Sequence, residues 1–244
     1  MLKLLKYDLR RRRERILVFS AIAILIQPAL WISNPRVDMK LLTLNLTVYM
    51  VLAVAFLLVA AFSYIRNLRS YQRRLLPVSA LQTVLSPLLL ALFLLVIVVA
   101  LIVIHLGIYR LFDPLEFLPD DLWSAGVSMA VQFTWSAGIM MIMSMFSITA
   151  ALSLHSKWRI WIGVAILFIL QNGVAFVENT MFDIYFVGVD RTFNFEMYNY
   201  QMRPDSGLTI RYMSDNPGPL LFETAIACLL VYGMVQMVKQ RIEL

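Results

Sequence analysis

Residues 66–111 read RNLRSYQRRLLPVSALQTVLSPLLLALFLLVIVVALIVIHLGIYRL. The opening stretch carries Arg66, Arg69, Arg73 and Arg74 and no acid. From Val84 the chain turns apolar, and His105 and Arg110 come only near the end of the run. At 1.5 Å rise per residue, such a run is long enough to cross a hydrocarbon core of ~30 Å. Lys- and Arg-rich segments stay on the cytoplasmic side, so a basic border before a spanning run sets orientation as well as existence.

Working outward, five further apolar runs occur at 16–32, 41–65, 122–153, 158–177 and 219–238, which with 84–111 makes six expected spans. The segments between them alternate in charge. The N-terminus, the 66–83 loop, the 154–159 turn and the C-terminus together hold 15 basic and 3 acidic residues, against 6 basic and 12 acidic in the rest. That partition places both termini and the basic loops in the cytoplasm, with 33–40, 112–121 and 179–217 outside. The expected fold class is an all-α polytopic membrane protein, with one transmembrane domain over residues 1–244. At 61% hydrophobic residues, mean hydropathy +0.77 and 15% charge, a soluble globular class is excluded. The net charge of +6 is spread along membrane borders, so it points to the lipid surface and not to nucleic acid.

Residues 1–15 place Leu2, Leu5, Leu9 and Ile16 near one helical face and fill the rest with Lys and Arg. This predicts a helix lying in the inner headgroup layer before the chain enters its first span. The run at 16–32 continues into Trp31-Ile-Ser-Asn-Pro35 without a small-residue cleavage site, which reads as an uncleaved anchor. Gln27-Pro28 predicts a kink. Pro77 ends one helix and Ser79 is placed to cap the next. Run 122–153 is uncharged and rich in Ser, Gly and Ala, the composition of a helix packed against protein. In the outer segment 178–218, Thr192–Tyr200 and Leu208–Met213 alternate in period two around the Arg203-Pro-Asp-Ser-Gly207 turn, predicting a small β-hairpin over 192–213.

Parts for catalysis are not found. The chain has no G-x-x-x-x-G-K-[ST], no H-E-x-x-H and no G-x-S-x-G, so neither ATP hydrolysis nor a metal or serine mechanism is expected in it. His105 and His155 fall on opposite sides of the expected membrane. Cys228 stands alone, which leaves no disulfide or Cys-based metal framework within the chain. Gln27, Asn45, His105, Gln132, Gln171 and Asn172 all map to the outer halves of their spans. Buried amides need partners, so these residues face the bundle interior. They either line a translocation path open to the outside or bond neighbouring helices. Glu178 and Glu223 read as solvated helix ends, and no charge falls at a membrane centre, which argues against a proton- or sodium-coupled carrier.

The basic run, then Leu75-Leu76-Pro77-Val78-Ser79 and an apolar helix, resembles the type-2 ABC transporter permease family. The opening Met1-Leu-Lys-Leu-Leu-Lys-Tyr-Asp-Leu-Arg10, the six spans and the long outer loop before the last span resemble it too. The resemblance implies the membrane subunit of an ATP-driven exporter in a bacterial plasma (inner) membrane. It implies pairing with a second permease subunit, as homo- or heterodimer. It also implies docking of a separate cytoplasmic ATPase that carries ATP and Mg, leaving no cofactor on this chain. Carried onto this sequence, Arg66, Arg69, Arg73, Arg74, Pro77 and Ser79 belong to the ATPase-coupling element. The chain departs from the family in its polar, β-like outer segment and in Ser86-Pro87, where a basic residue is common. A non-transport sensor or immunity subunit that binds an extracellular peptide is the alternative, and the outer segment favours it. An intramembrane enzyme lacks a catalytic pair.

The charge partition has a direct test. In a Cys228→Ala background, an impermeant thiol reagent applied to intact cells should label Ser206→Cys and spare Ser70→Cys. Labelling at position 70 would reverse the orientation.

Overall fold

A computed structural model describes residues 2–33, 39–69, 79–112, 122–154, 157–182, 195–196, 209–210 and 218–242. All six expected spans are helices: α1 (Leu2–Ser33), α2 (Met39–Arg69), α3 (Ala80–Phe112), α4 (Leu122–Ser153), α5 (Arg159–Phe182) and α6 (Gly218–Ile242). Each contains a segment long and apolar enough to cross a membrane, which fits a multi-pass membrane protein. Outside the helices, β1 (Phe195–Glu196) and β2 (Thr209–Ile210) pair antiparallel, Phe195 opposite Ile210 and Glu196 opposite Thr209. The remainder of the 192–213 hairpin expectation lies outside the described residues.

Helices α2, α3 and α4 form the centre. α1 packs on α2 and α3, α5 packs on α4, and α6 lies against α4 and α3. Because lipid is as apolar as Leu, the outer faces stay greasy: Leu25, Ile32, Phe62, Trp161 and Phe168 are all exposed. The core has three parts. Phe56, Leu90 and Leu94 join α1, α2 and α3. Tyr64, Val84, Met145 and Met234 join α2, α3, α4 and α6. Ile139, Met143, Val174 and Leu230 join α4, α5 and α6.

Helix α4 is buried around its circumference, with every second residue from Ala137 to Ala151 in the core. The small side chains make that possible. A Cβ added at Gly163 of α5 would lie 3.1 Å from Ala151 Cβ, and Ser147 Oγ donates to the Gly163 carbonyl. A Cβ added at Gly233 of α6 would come equally close to the Phe146 ring.

The N-terminal expectation requires correction. Residues 1–15 do not form a separate interfacial helix: residues 2–33 are one continuous helix, with Pro28 inside it. The cause is a polar stripe one turn long. Asp8 and Arg12, at i and i+4, are 1% and 5% exposed, so this face docks on protein and not on headgroups. Asn67 Nδ2 of α2 and Ser86 Oγ of α3 donate to Asp8 Oδ2 at 3.5 and 3.2 Å. Three helices are thereby joined at one buried carboxylate. Leu9 and Ile16 do face the core, as their spacing implies.

A second tie crosses the bundle. Thr149 Oγ1 donates its one proton to the Met145 carbonyl at 2.7 Å. The 2.5 Å bond to Tyr64 is therefore donated by the phenol, which leaves the 3.9 Å approach to Met234 Sδ as packing.

Asp8→Ala strands the buried donors of Asn67 and Ser86, which should cost about 1–3 kcal/mol. Thermal unfolding of the purified protein in lipid nanodiscs should show a lower midpoint, and less loss for Asp8→Asn. An unchanged midpoint would remove Asp8 as the tie between α1, α2 and α3.

Candidate functional site

Two polar clusters occupy the halves of the helices that the charge partition predicts to face outward. In the first, α2 contributes Asn45 and Tyr49 and α3 contributes His105 and Tyr109. Both pairs are spaced i, i+4, so each lies along one helix face. The helices run antiparallel, which brings Asn45 opposite Tyr109 and Tyr49 opposite His105. Asn45 Nδ2 donates to the Tyr109 hydroxyl, and the Tyr49 hydroxyl lies 2.6 Å from His105 Nδ1. The His105 and Tyr109 rings sit edge to face at 4.4 Å, with Trp31 of α1 on Tyr109 at 5.6 Å. When Tyr49 donates, Nδ1 accepts and the imidazole carries its proton on Nε2. Gln27 and Asn45 are both buried, yet both polar side-chain atoms of Gln27 and Oδ1 of Asn45 have no partner among the described residues. That leaves donor and acceptor capacity within an aromatic surround.

The second cluster joins α4, α5 and α6. Trp135 Nε1 donates to Glu223 Oε2 at 2.5 Å. Glu178 of α5 is only 2% exposed, and its Oε1 has no partner among the described residues. The expectation of two solvated helix ends is therefore corrected. The sequence signal was depth: Glu178 lies four residues from the end of α5, and Glu223 lies five from the start of α6. Phe182 and Phe222, with centroids 6.2 Å apart, flank the pair along the chain.

The six residues expected to line one path divide between the two sides. Asn45 and His105 share the first cluster, and Gln27 is buried on α1 within the adjoining helices. Gln171 bonds Met140 Sδ at 3.0 Å, on the α4–α5 side. Asn172 turns outward and bonds the Phe168 carbonyl. Gln132 lies within α4, and its side chain is outside the described residues. Tyr49, Tyr109 and Trp135 were not singled out from sequence, because an aromatic residue in an apolar run gives no sign of which helix its polar atom will meet.

At the inner ends, Arg66 is exposed near the end of α2, and Arg11, Arg15 and Arg66 surround Arg12 electrostatically. Arg69 is the last residue of α2. Ser79 caps α3: its hydroxyl accepts from the Gln82 amide at 3.3 Å and its carbonyl accepts from the Thr83 amide at 3.1 Å. Arg73, Arg74 and Pro77 lie outside the described residues. Among the described residues no group of three or more His, Cys, Asp or Glu is placed to hold a metal ion. No family model, curated protein or solved structure matches the chain.

The Tyr49–His105 bond should be visible as a coupling. A double-mutant cycle of Tyr49→Phe and His105→Phe on unfolding free energy should give an interaction of about 0.5–1.5 kcal/mol. Additive single effects would mean that the pair merely packs.

Proposed function

We propose that the chain is the membrane-spanning permease subunit of an ATP-driven ABC exporter. It moves a hydrophobic or amphipathic substrate outward, pairs with a second permease subunit and takes its energy from a separate cytoplasmic ATPase. The observation that carries this reading is the continuity of α2 and α3. Their inner ends are joined through Asn67, Ser86 and Asp8 beside a basic surface, and their outer ends carry the Asn45–Tyr49–His105–Tyr109 cluster. A push on the segment between Arg66 and Ser79 reaches the outer polar face along two stiff helices, with the Ser79 cap holding the start of α3.

In this reading the segment from Arg66 to Ser79 is the coupling element, and its arginines meet an acidic groove on the ATPase. The basic inner ends and both termini lie in the cytoplasm of a bacterial cell. The outer segment 178–218 caps the exit, with the β1–β2 pair as part of that cap. A second reading, a sensor or immunity subunit binding an extracellular peptide, is favoured by the same strand pair, whose edges suit addition of an extended chain.

Charge-assisted contacts of this kind contribute about 1–3 kcal/mol each. Arg73→Glu/Arg74→Glu should therefore weaken co-purification of a partner ATPase by about 10-fold or more. It should also uncouple hydrolysis from export. Undiminished association would exclude the segment as the coupling element.

A further inference from the structure

At the basic end of α1, arginines gather where acids are scarce. Arg12 is 5% exposed, and its buried Nε has no partner among the described residues. Arg11 and Arg15 are exposed, and at one position before Arg12 and three after it they share its side of the helix. α2 brings a fourth. Arg66 is exposed and adjoins Asn67, whose Nδ2 donates at 3.5 Å to Asp8 Oδ2, one turn before Arg12 on α1. That bond sets Arg66 at this level, and its charge is felt at Arg12.

α2 and α3 hold no acidic residue. On α1 the acids are Asp8 and Glu14. Asp8 Oδ2 accepts from Asn67 and Ser86, and Glu14 is exposed and turned about 160° round the helix from Arg12. A buried guanidinium short of acceptors is costly, and its planar N–H fork matches the oxygens of a phosphate.

Depth selects what carries that phosphate. Arg12 lies four residues, about 6 Å, before Ile16, where the first apolar run begins. That is the headgroup layer, about 5–8 Å thick on each side of the hydrocarbon. On α1, Arg11, Arg15, Phe19, Ile22 and Ile26 follow one another at spacings of four and three along one exposed face. On α2, Arg66, Phe62 and Leu58 do the same at spacings of four. Both helices present cations at the border and apolar side chains beyond it, the profile of a phospholipid with an anionic head. A free anion or an acidic protein would use the arginines and leave the apolar faces unused.

We propose that this cluster binds the phosphate of an anionic phospholipid in the adjoining leaflet. Arg12 is its innermost contact, Arg11, Arg15 and Arg66 stand around it, and the acyl chains lie on the exposed faces of α1 and α2. The site adjoins the Asp8 tie, so occupancy stiffens the junction of α1, α2 and α3. It stands independently of the permease reading.

The protein for the test is the full chain in phosphatidylcholine nanodiscs, with phosphatidylglycerol added in graded amounts. The thermal midpoint should rise and saturate, and native mass spectrometry should show about one phosphatidylglycerol held per chain after phosphatidylcholine is stripped. Arg12→Gln should weaken retention at least about 10-fold, and Arg12→Lys by less, since lysine keeps the charge and loses the fork. Lys239→Gln removes one exposed charge near the end of α6, on the same side by the charge partition, and should match the unaltered chain. Should Arg12→Gln not fold, Arg11→Gln/Arg15→Gln at exposed positions should show the same loss. Inorganic phosphate or a soluble poly-glutamate peptide in excess should leave the lipid in place. Equal retention of phosphatidylcholine would overturn the proposal, as would equal loss in Lys239→Gln. Displacement by phosphate would make this a free-anion site, and displacement by the peptide a protein-docking face, and either would overturn it too.

Discussion

Desolvation of polar side chains in hydrocarbon is the constraint on which the arrangement of these helices depends. Apolar surfaces gain little by leaving lipid for protein, so they do not select one helix pairing over another. A buried carboxylate or hydroxyl does, because a lost partner leaves it unsatisfied at a cost of several kcal/mol. Asp8 illustrates this: its oxygen is reached by Asn67 and Ser86 from two other helices, and α1 is held upright against both of them. The same logic places Tyr64 against Thr149 and Tyr49 against His105.

Most of these ties fall within two trios of helices, while Tyr64 and Thr149 bond α2 to α4 across them. α1, α2 and α3 are joined through Asp8 at the inner end, and α2 and α3 again through the Tyr49–His105 set at the outer end. α4 is joined to α5 through Ser147 and Gly163 and to α6 through Trp135 and Glu223. Between the trios the core is largely apolar and sulfur-rich, with Met141, Met145 and Met234 beside Leu88 and Val84. Unbranched thioether side chains repack at low cost, so a seam of this composition suits two bodies that shift against each other. An apolar groove runs along that seam, bounded by α3 on one side and α6 on the other.

Among the described residues, buried side-chain atoms without a partner belong to Arg12, Gln27, Asn45 and Glu178. Gln27, Asn45 and Glu178 each lie within two turns of an outer helix end, the first two on one trio and the third on the other. Close packing of small residues excludes such vacancies lower in α4, where Ser147, Gly163 and Ala151 meet.

Six apolar spans were legible in the sequence, because run length is a local property that needs no partner to be read. The Ser79 cap and the small-residue character of α4 were legible for the same reason. The nature of Glu178 and Glu223 was not. Each alone looks like a solvated end, and only the packing of α4, α5 and α6 buries Glu178 and brings Glu223 to Trp135. The N-terminal segment also misled, since Asp8 and Arg12 in a basic, amphipathic stretch carry no sign that Asn67 and Ser86 wait on other helices. The expected single lining split because residues at equal depth need not share an azimuth, and azimuth is set by which helix packs where. What a residue is and how deep it lies are properties of the chain. Which polar atom it meets is decided by tertiary structure, because the energy that selects the partner exists only once two helices have excluded lipid and water between them.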